Sequence, residues 1–173
     1  SDESRGLGDV YKRQVPDPVI MLEHIGLYGL RGGLTGWGQN INQKVDTKSV
    51  NNAINNGKKY KIGKAEVIRG GSDLTIVTWG AMVHLAIQAS ELLAQEGIEV
   101  EIIDLRTIIP FDAETCVQSV LRTGRLVVLQ EGQWSGGIGH TIQSRIIESC
   151  FYALESTPCV IGALDLSLIH ISE

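Results

Sequence analysis

The sequence has no apolar stretch approaching the roughly 20 residues that a helix needs to span a bilayer, so a membrane protein of that kind is not expected. It has no basic excess either. Lys and Arg number 15 against 20 Asp and Glu, a net charge of −5, which argues against a nucleic-acid partner. Cysteine is scarce: Cys116, Cys150 and Cys159 show no CxxC spacing and make no zinc set with the four histidines. Their odd number and wide gaps point to reduced thiols, best read as small buried hydrophobes. Also missing are a phosphate-binding P-loop, a GxGxxG fingerprint, a Ser/His/Asp arrangement and any metal-ligand cluster. Each absence removes a familiar class of active site.

What is present suits one domain with room for a piece of another. Apolar residues make up 43% and charged residues 20%, a composition that supports an ordinary core. The two ends look foreign to it. Residues 1–14, SDESRGLGDVYKRQ, lack apolar periodicity, and 166–173 follow abruptly. Both resemble translated adapter sequence and are set aside as artefactual tails. The true protein is then expected to continue past both ends.

Between the tails, Val19–Leu22 reads as a buried strand. Residues 31–62, rich in glycine and then in asparagine and lysine, read as a linker or surface loop. From Ala65 the pattern becomes regular. Leu74–Trp79, Val100–Ile103, Leu126–Leu129 and Val160–Ile161 are short, β-branched apolar runs, hence strands. Met82, Val83, Leu85, Ala86, Ala89, Leu92 and Leu93 recur at helical spacing, with Gly97 placed for a C-cap. Asp112 opens a second helix that Gly124 closes, and a third passes through Ile142, Ile146 and Ile147. Strand and helix alternate with short connections. The expected fold class is α/β: a three-layer, open, mostly parallel sheet with helices on both faces.

Ligands of such sheets sit beyond the carboxyl ends of the strands. Three loops occupy that edge: Gly80–Met82, Asp104–Thr107 and Glu131–Gly139. The third is the most informative. Gly136, Gly137 and Gly139 permit tight turns, and free amides at the next helix start could hold an anion. Glu131 could act as a base, or as a solvated or capping carboxylate. Gly132 follows it. Trp134 could form a contact surface, or cover the domain's own core. Arg106 could pair with Asp104, or with a carboxylate of another domain. His84 lies beside an apolar helix face, where packing is the plainer role. Glu23 and His24 could move protons near neutral pH, but alone they are weak evidence. The residues by themselves therefore lead to a parallel α/β domain without a convincing active site.

Four stretches, GKAEVIRGGSDLTIVTWGAMVH, EVEIIDLRTIIPFDAETCVQSVLRTGRLVVLQEG, the glycine loop to Ile138, and TPCVIGALD, resemble the C-terminal domain of the transketolase superfamily. They are most similar to β subunits of pyruvate and branched-chain 2-oxoacid dehydrogenases, over residues 63–165. Ahead of them PDPVIMLEHIGLYG, within residues 15–30, resembles the end of the preceding pyrimidine-binding domain. The resemblance implies oxidative decarboxylation of a 2-oxoacid on thiamine diphosphate with magnesium, and acyl transfer to a lipoyl group. It implies that cofactor, metal and catalytic residues lie outside this chain, which alone would be inactive. Its partners would be an α subunit and a second β subunit of a heterotetramer, and a lipoyl acyltransferase core. Its location would be the bacterial cytoplasm, or the mitochondrial or plastid matrix in a eukaryote. Arg106, Glu131, Gly132, Trp134, Gly136, Gly137 and Gly139 become candidate interface residues. The alternatives are the last domain of a 1-deoxyxylulose-5-phosphate synthase or a transketolase, or a stand-alone anion-binding α/β module. The connection over residues 26–61 is longer than the family's usual linker, and the chain stops before the family's final segments.

Overall fold

The structure is a computed structural model and describes residues 62–165. The expected strand at Val19–Leu22, the Glu23–His24 pair, the long connection up to Lys61 and both tails lie outside these residues.

Strands form where β-branched and apolar residues run together, and helices where apolar residues return every three or four positions. In chain order the elements are β1 (Glu66–Arg69), β2 (Leu74–Thr78), α1 (Met82–Gln95), β3 (Val100–Asp104), α2 (Ala113–Thr123), β4 (Leu126–Gln133), α3 (Gly139–Cys150) and β5 (Cys159–Ala163). The strands make one sheet ordered β1-β3-β2-β4-β5. β1 runs antiparallel to β3, and all other pairs are parallel. Ile76 of central β2 stands opposite Ile102 on one side and Val127 on the other.

The two-residue period of the strands divides the apolar side chains between two cores. Ile76, Val100, Ile102 and Leu129 pack with Met82 and Ala86 of α1. Val77, Ile103, Leu126, Val128 and Val160 pack with Cys116 and Val120 of α2 and Ile142, Ile146 and Cys150 of α3. Helices thus cover both faces, and the architecture is the three-layer α/β one expected. The second face also buries a polar knot. Thr75 Oγ1 lies 2.6 Å from Ser119 Oγ and 2.7 Å from Thr123 Oγ1, so all three hydroxyls are satisfied away from water.

Helix ends follow local chemistry. Asp112 caps α2 by accepting from the Thr115 amide at 3.2 Å. α1 ends in a Schellman motif: Gly97 at φ 80° donates to the Ala94 carbonyl, and Ile98 to that of Leu93.

Three readings need correction. β1 was not expected, because its Val67 and Ile68 are both exposed and the segment shows neither a buried run nor clean alternation. β4 extends to Gln133, so Glu131 and Gly132 belong to a strand where a loop was expected. Both residues are exposed there, and the apolar signature stops although pairing with β5 resumes at Gln133. Cys116 and Cys150 are buried, but Cys159 is exposed on β5, which among the described residues lies at the edge of the sheet beside β4.

Candidate functional site

The loops after β2, β3 and β4 leave the carboxyl edge of the parallel strands, where an open α/β sheet offers its ligand site. The β3 loop is tied down from several sides. Leu105 is fully buried in the core shared by α2 and α3. Arg106 adopts φ 57°, a left-handed conformation uncommon for a residue with a Cβ. Its guanidinium pairs with Glu66 of β1 and lies 3.9 Å from Asp104. The pairing is therefore local, within this domain. Burial pushes the Asp104 carboxyl up, against the pull of the Arg106 amide that donates to it. Thr107 Oγ1 accepts from the Gly63 amide, and buried Asp112 accepts from Ala65 and pairs with Lys64 at 3.5 Å.

The β4 side is built around Gln130, a buried residue that the sequence reading passed over. Its Oε1 accepts from the Gly139 amide at 2.7 Å, and its Nε2 donates to the Gln133 carbonyl at 2.9 Å. A Cβ on Gly137 would fall 2.1 Å from Nε2, and one on Gly139 2.6 Å from Oε1. The loop is glycine-rich at these positions because it wraps a side chain. Gly136 has open space around its missing Cβ. Two amides of the loop expected to hold an anion already have partners: Gly139 donates to Gln130, and Ser135 to Asp165 Oδ1 at 3.0 Å. The only signal for Gln130 in the sequence was a lone amide side chain between an apolar strand and a glycine run.

Trp134 belongs to neither core and is 51% exposed. Its ring meets that of His140 edge to face, with centroids 4.6 Å apart. Beside it lies an open groove of about 420 Å³, floored by Val160–Asp165. Ile161 and Leu164 contribute exposed apolar surface there. Gly132 is exposed on β4, and its carbonyl would meet a Cβ on Gly162 at 2.7 Å, so both strands approach closely at this point. Glu131 is exposed, on the same stretch of β4. Arg106 is placed on the β3 loop, apart in sequence and in its partners from the Trp134 groove. His84 is half-buried on α1, where burial lowers its imidazole below the usual value. Among the described residues no group of three or more His, Cys, Asp or Glu side chains is placed to hold a metal ion. No described helix is long and apolar enough to cross a membrane.

The site thus offers an apolar ledge with an aromatic side chain at its rim, while the Gln130 carboxamide and the Gly139 and Ser135 amides beside it are held internally. Comparison with known proteins bears on what the ledge belongs to. The family described as "Transketolase, C-terminal domain" matches residues 63–173. The chain is 36% identical over 149 residues to the pyruvate dehydrogenase E1 component subunit beta of Bacillus subtilis (strain 168), covering 86% of this chain and 40% of that one. It is 39% identical over 140 residues to the acetoin:2,6-dichlorophenolindophenol oxidoreductase subunit beta of Cupriavidus necator, covering 81% of this chain and 36% of that one. A solved structure titled as a split gene transketolase, inactive beta4 tetramer, is similar with a TM-score of 0.52 at 30% identity. That match covers 62% of this chain and 34% of the other. The chain spans about two fifths of the length of the curated relatives it matches.

Proposed function

Because the chain belongs to the family of transketolase C-terminal domains, we propose that it is the assembly domain of the β subunit of a thiamine-diphosphate-dependent 2-oxoacid dehydrogenase. The complete enzyme decarboxylates pyruvate or a branched-chain 2-oxoacid oxidatively and passes the acyl group to a lipoyl carrier. Likeness to β subunits at 36% and 39% identity supports this reading. Residues 63–165 form the proposed domain, preceded by the end of a pyrimidine-binding domain over 15–30 and a linker over 31–62. Its proposed partners are an α subunit, a second β subunit and a lipoyl acyltransferase core. The proposed location is the cytoplasm of a bacterium.

The described residues do not fit thiamine diphosphate or magnesium. They supply no cluster of metal ligands, and the Gly139 and Ser135 amides near the start of α3 are engaged by Gln130 and Asp165. The same occupancy speaks against a stand-alone anion-binding module. No step of the reaction is therefore assigned to the described residues, whose proposed role is to hold subunits together.

The observation that carries the reading is Trp134, half out of the domain beside the open β5 groove. Aromatic side chains at such rims anchor protein contacts. Trp134→Ala in the whole subunit is expected to weaken heterotetramer formation roughly tenfold, about 1.4 kcal/mol. Sedimentation of the assembled enzyme measures it. The melting temperature should fall little, because the ring lies outside both cores. A loss of thermal stability matching the loss of assembly would sink the reading. A transketolase-type enzyme is the second reading, favoured by the 30% identical structural relative. Finding a separate α-subunit gene beside this one would support the first reading over the second.

A further inference from the structure

We propose that Gln130 is the positioning residue for Trp134, fixing the indole in its docking pose without touching the partner. The inference rests on the reading of Trp134 as a docking side chain. Between the pairs Leu129–Ile161 and Gln133–Ala163, β4 carries two more residues than β5, so the ladder is interrupted there. Gln130 opens that bulge. Its donor reaches the Gln133 carbonyl, and its acceptor takes the Gly139 amide. Those two residues immediately precede Trp134 and His140, the rings that meet edge to face. The carboxamide therefore sets the distance between the two backbone points from which the rings hang.

Only a neutral amide of this length serves. A carboxylate lacks the donor, a cation lacks the acceptor, and asparagine is shorter by a methylene. The room is cut to this side chain by absent Cβ atoms at Gly137, Gly139 and Gly162, the last leaving 3.1 Å to Nε2. With Gln130 3% exposed, nothing but the chain itself reaches its polar atoms. Trp134 is further held by its amide, which donates to the Ala163 carbonyl at 2.9 Å. That bond fixes the residue's backbone on β5; the relation of its ring to His140 still depends on the span from Gln133 to Gly139.

The test uses the whole subunit with its α partner, labelled with 5-fluorotryptophan. The Trp134 fluorine resonance is assigned by its loss in Trp134→Phe. Gln130→Met keeps length and removes both bonds. It is expected to move the Trp134 resonance toward that of free fluorotryptophan and to weaken assembly about tenfold. Added to Trp134→Ala, it should weaken assembly no further, because it acts through that ring. An unmoved resonance, or losses that simply add in the double variant, would overturn the proposal. Gln130→Glu keeps the acceptor and lacks the donor; it carries the same criteria if Gln130→Met fails to fold. If Trp134→Ala assembles normally, the docking reading fails, while the resonance still decides whether Gln130 positions the ring.

Discussion

The β3 loop and the β4 loop leave the same edge of the sheet, yet they are built on opposite plans. The β3 loop sends polar groups back to distant parts of the chain. Thr107 meets Gly63, Asp112 meets Ala65 and Lys64, and Arg106 meets Glu66. The β4 loop satisfies itself locally through Gln130 and along neighbouring β5 through Asp165, and leaves Trp134 outside. The first plan makes a clamp between the start of the domain and its centre. The second makes a rigid pedestal with an exposed tip. An edge that would ordinarily receive a ligand thus becomes a folding clasp on one side and a contact surface on the other.

If that contrast is right, the clasp governs stability and the pedestal does not. Asp112→Ala removes the α2 cap, the Ala65 bond and the Lys64 pair together. Each cap or buried bond to a charged group contributes on the order of 1 kcal/mol or more. A loss of about 2–3 kcal/mol is expected in urea unfolding, read as a lower midpoint at unchanged slope. Trp134→Ala should cost well under half of that. Equal losses would erase the distinction between the two loops.

Acid should act on the clasp in the same sense but less strongly. Burial alone would raise the Asp112 carboxyl. The bonds from Thr115 and Ala65 and the charge of Lys64 outweigh burial and hold it below the usual carboxylate range. An acid whose pKa is lowered by folding stabilises the native state above its unfolded pKa, near 4, and loses that contribution as pH falls through the folded value. Urea midpoints from pH 7 down to 3 should therefore fall more steeply for the natural chain than for Asp112→Asn, which cannot titrate there. Parallel curves would show that Asp112 is not held by these partners in solution.

Much of this fold was legible in the sequence, and the reasons are local. Strands buried on both faces, such as Leu74–Thr78 and Val100–Asp104, are continuous apolar runs whatever their neighbours. Gly97 and Gly124 stand where a helix must turn left-handed, and Asp112 stands where one must be capped. What stayed hidden depends on distant partners. β1 becomes a strand only by pairing with β3 across more than thirty residues, and its exposed Val67 and Ile68 give no pattern of their own. The glycines of the β4 loop read naturally as a cradle for an anion. The purpose of Gly137 and Gly139 appears only with Gln130 folded into the space they leave. Trp134 was readable as either a core cover or a contact, because a letter carries no exposure.

The finest distinction between the loops concerns Arg106, whose φ of 57° is part of how the clasp turns. A side chain at that angle crowds its own carbonyl, and glycine does not. Its ion pairs with Glu66 and Asp104 sit at a partly exposed position, where such pairs contribute about 1 kcal/mol at most. Arg106→Ala and Arg106→Gly both remove the guanidinium, and both keep the amide that donates to Asp104. They differ in whether a Cβ remains at a left-handed angle. Arg106→Gly should therefore be the more stable of the two, by about 0.5–1 kcal/mol, even though glycine elsewhere loosens a chain. Urea unfolding of the pair gives the difference directly. If Arg106→Ala proves the more stable, the loop does not hold this angle in solution. The clasp would then rest on Asp112 and Thr107 alone.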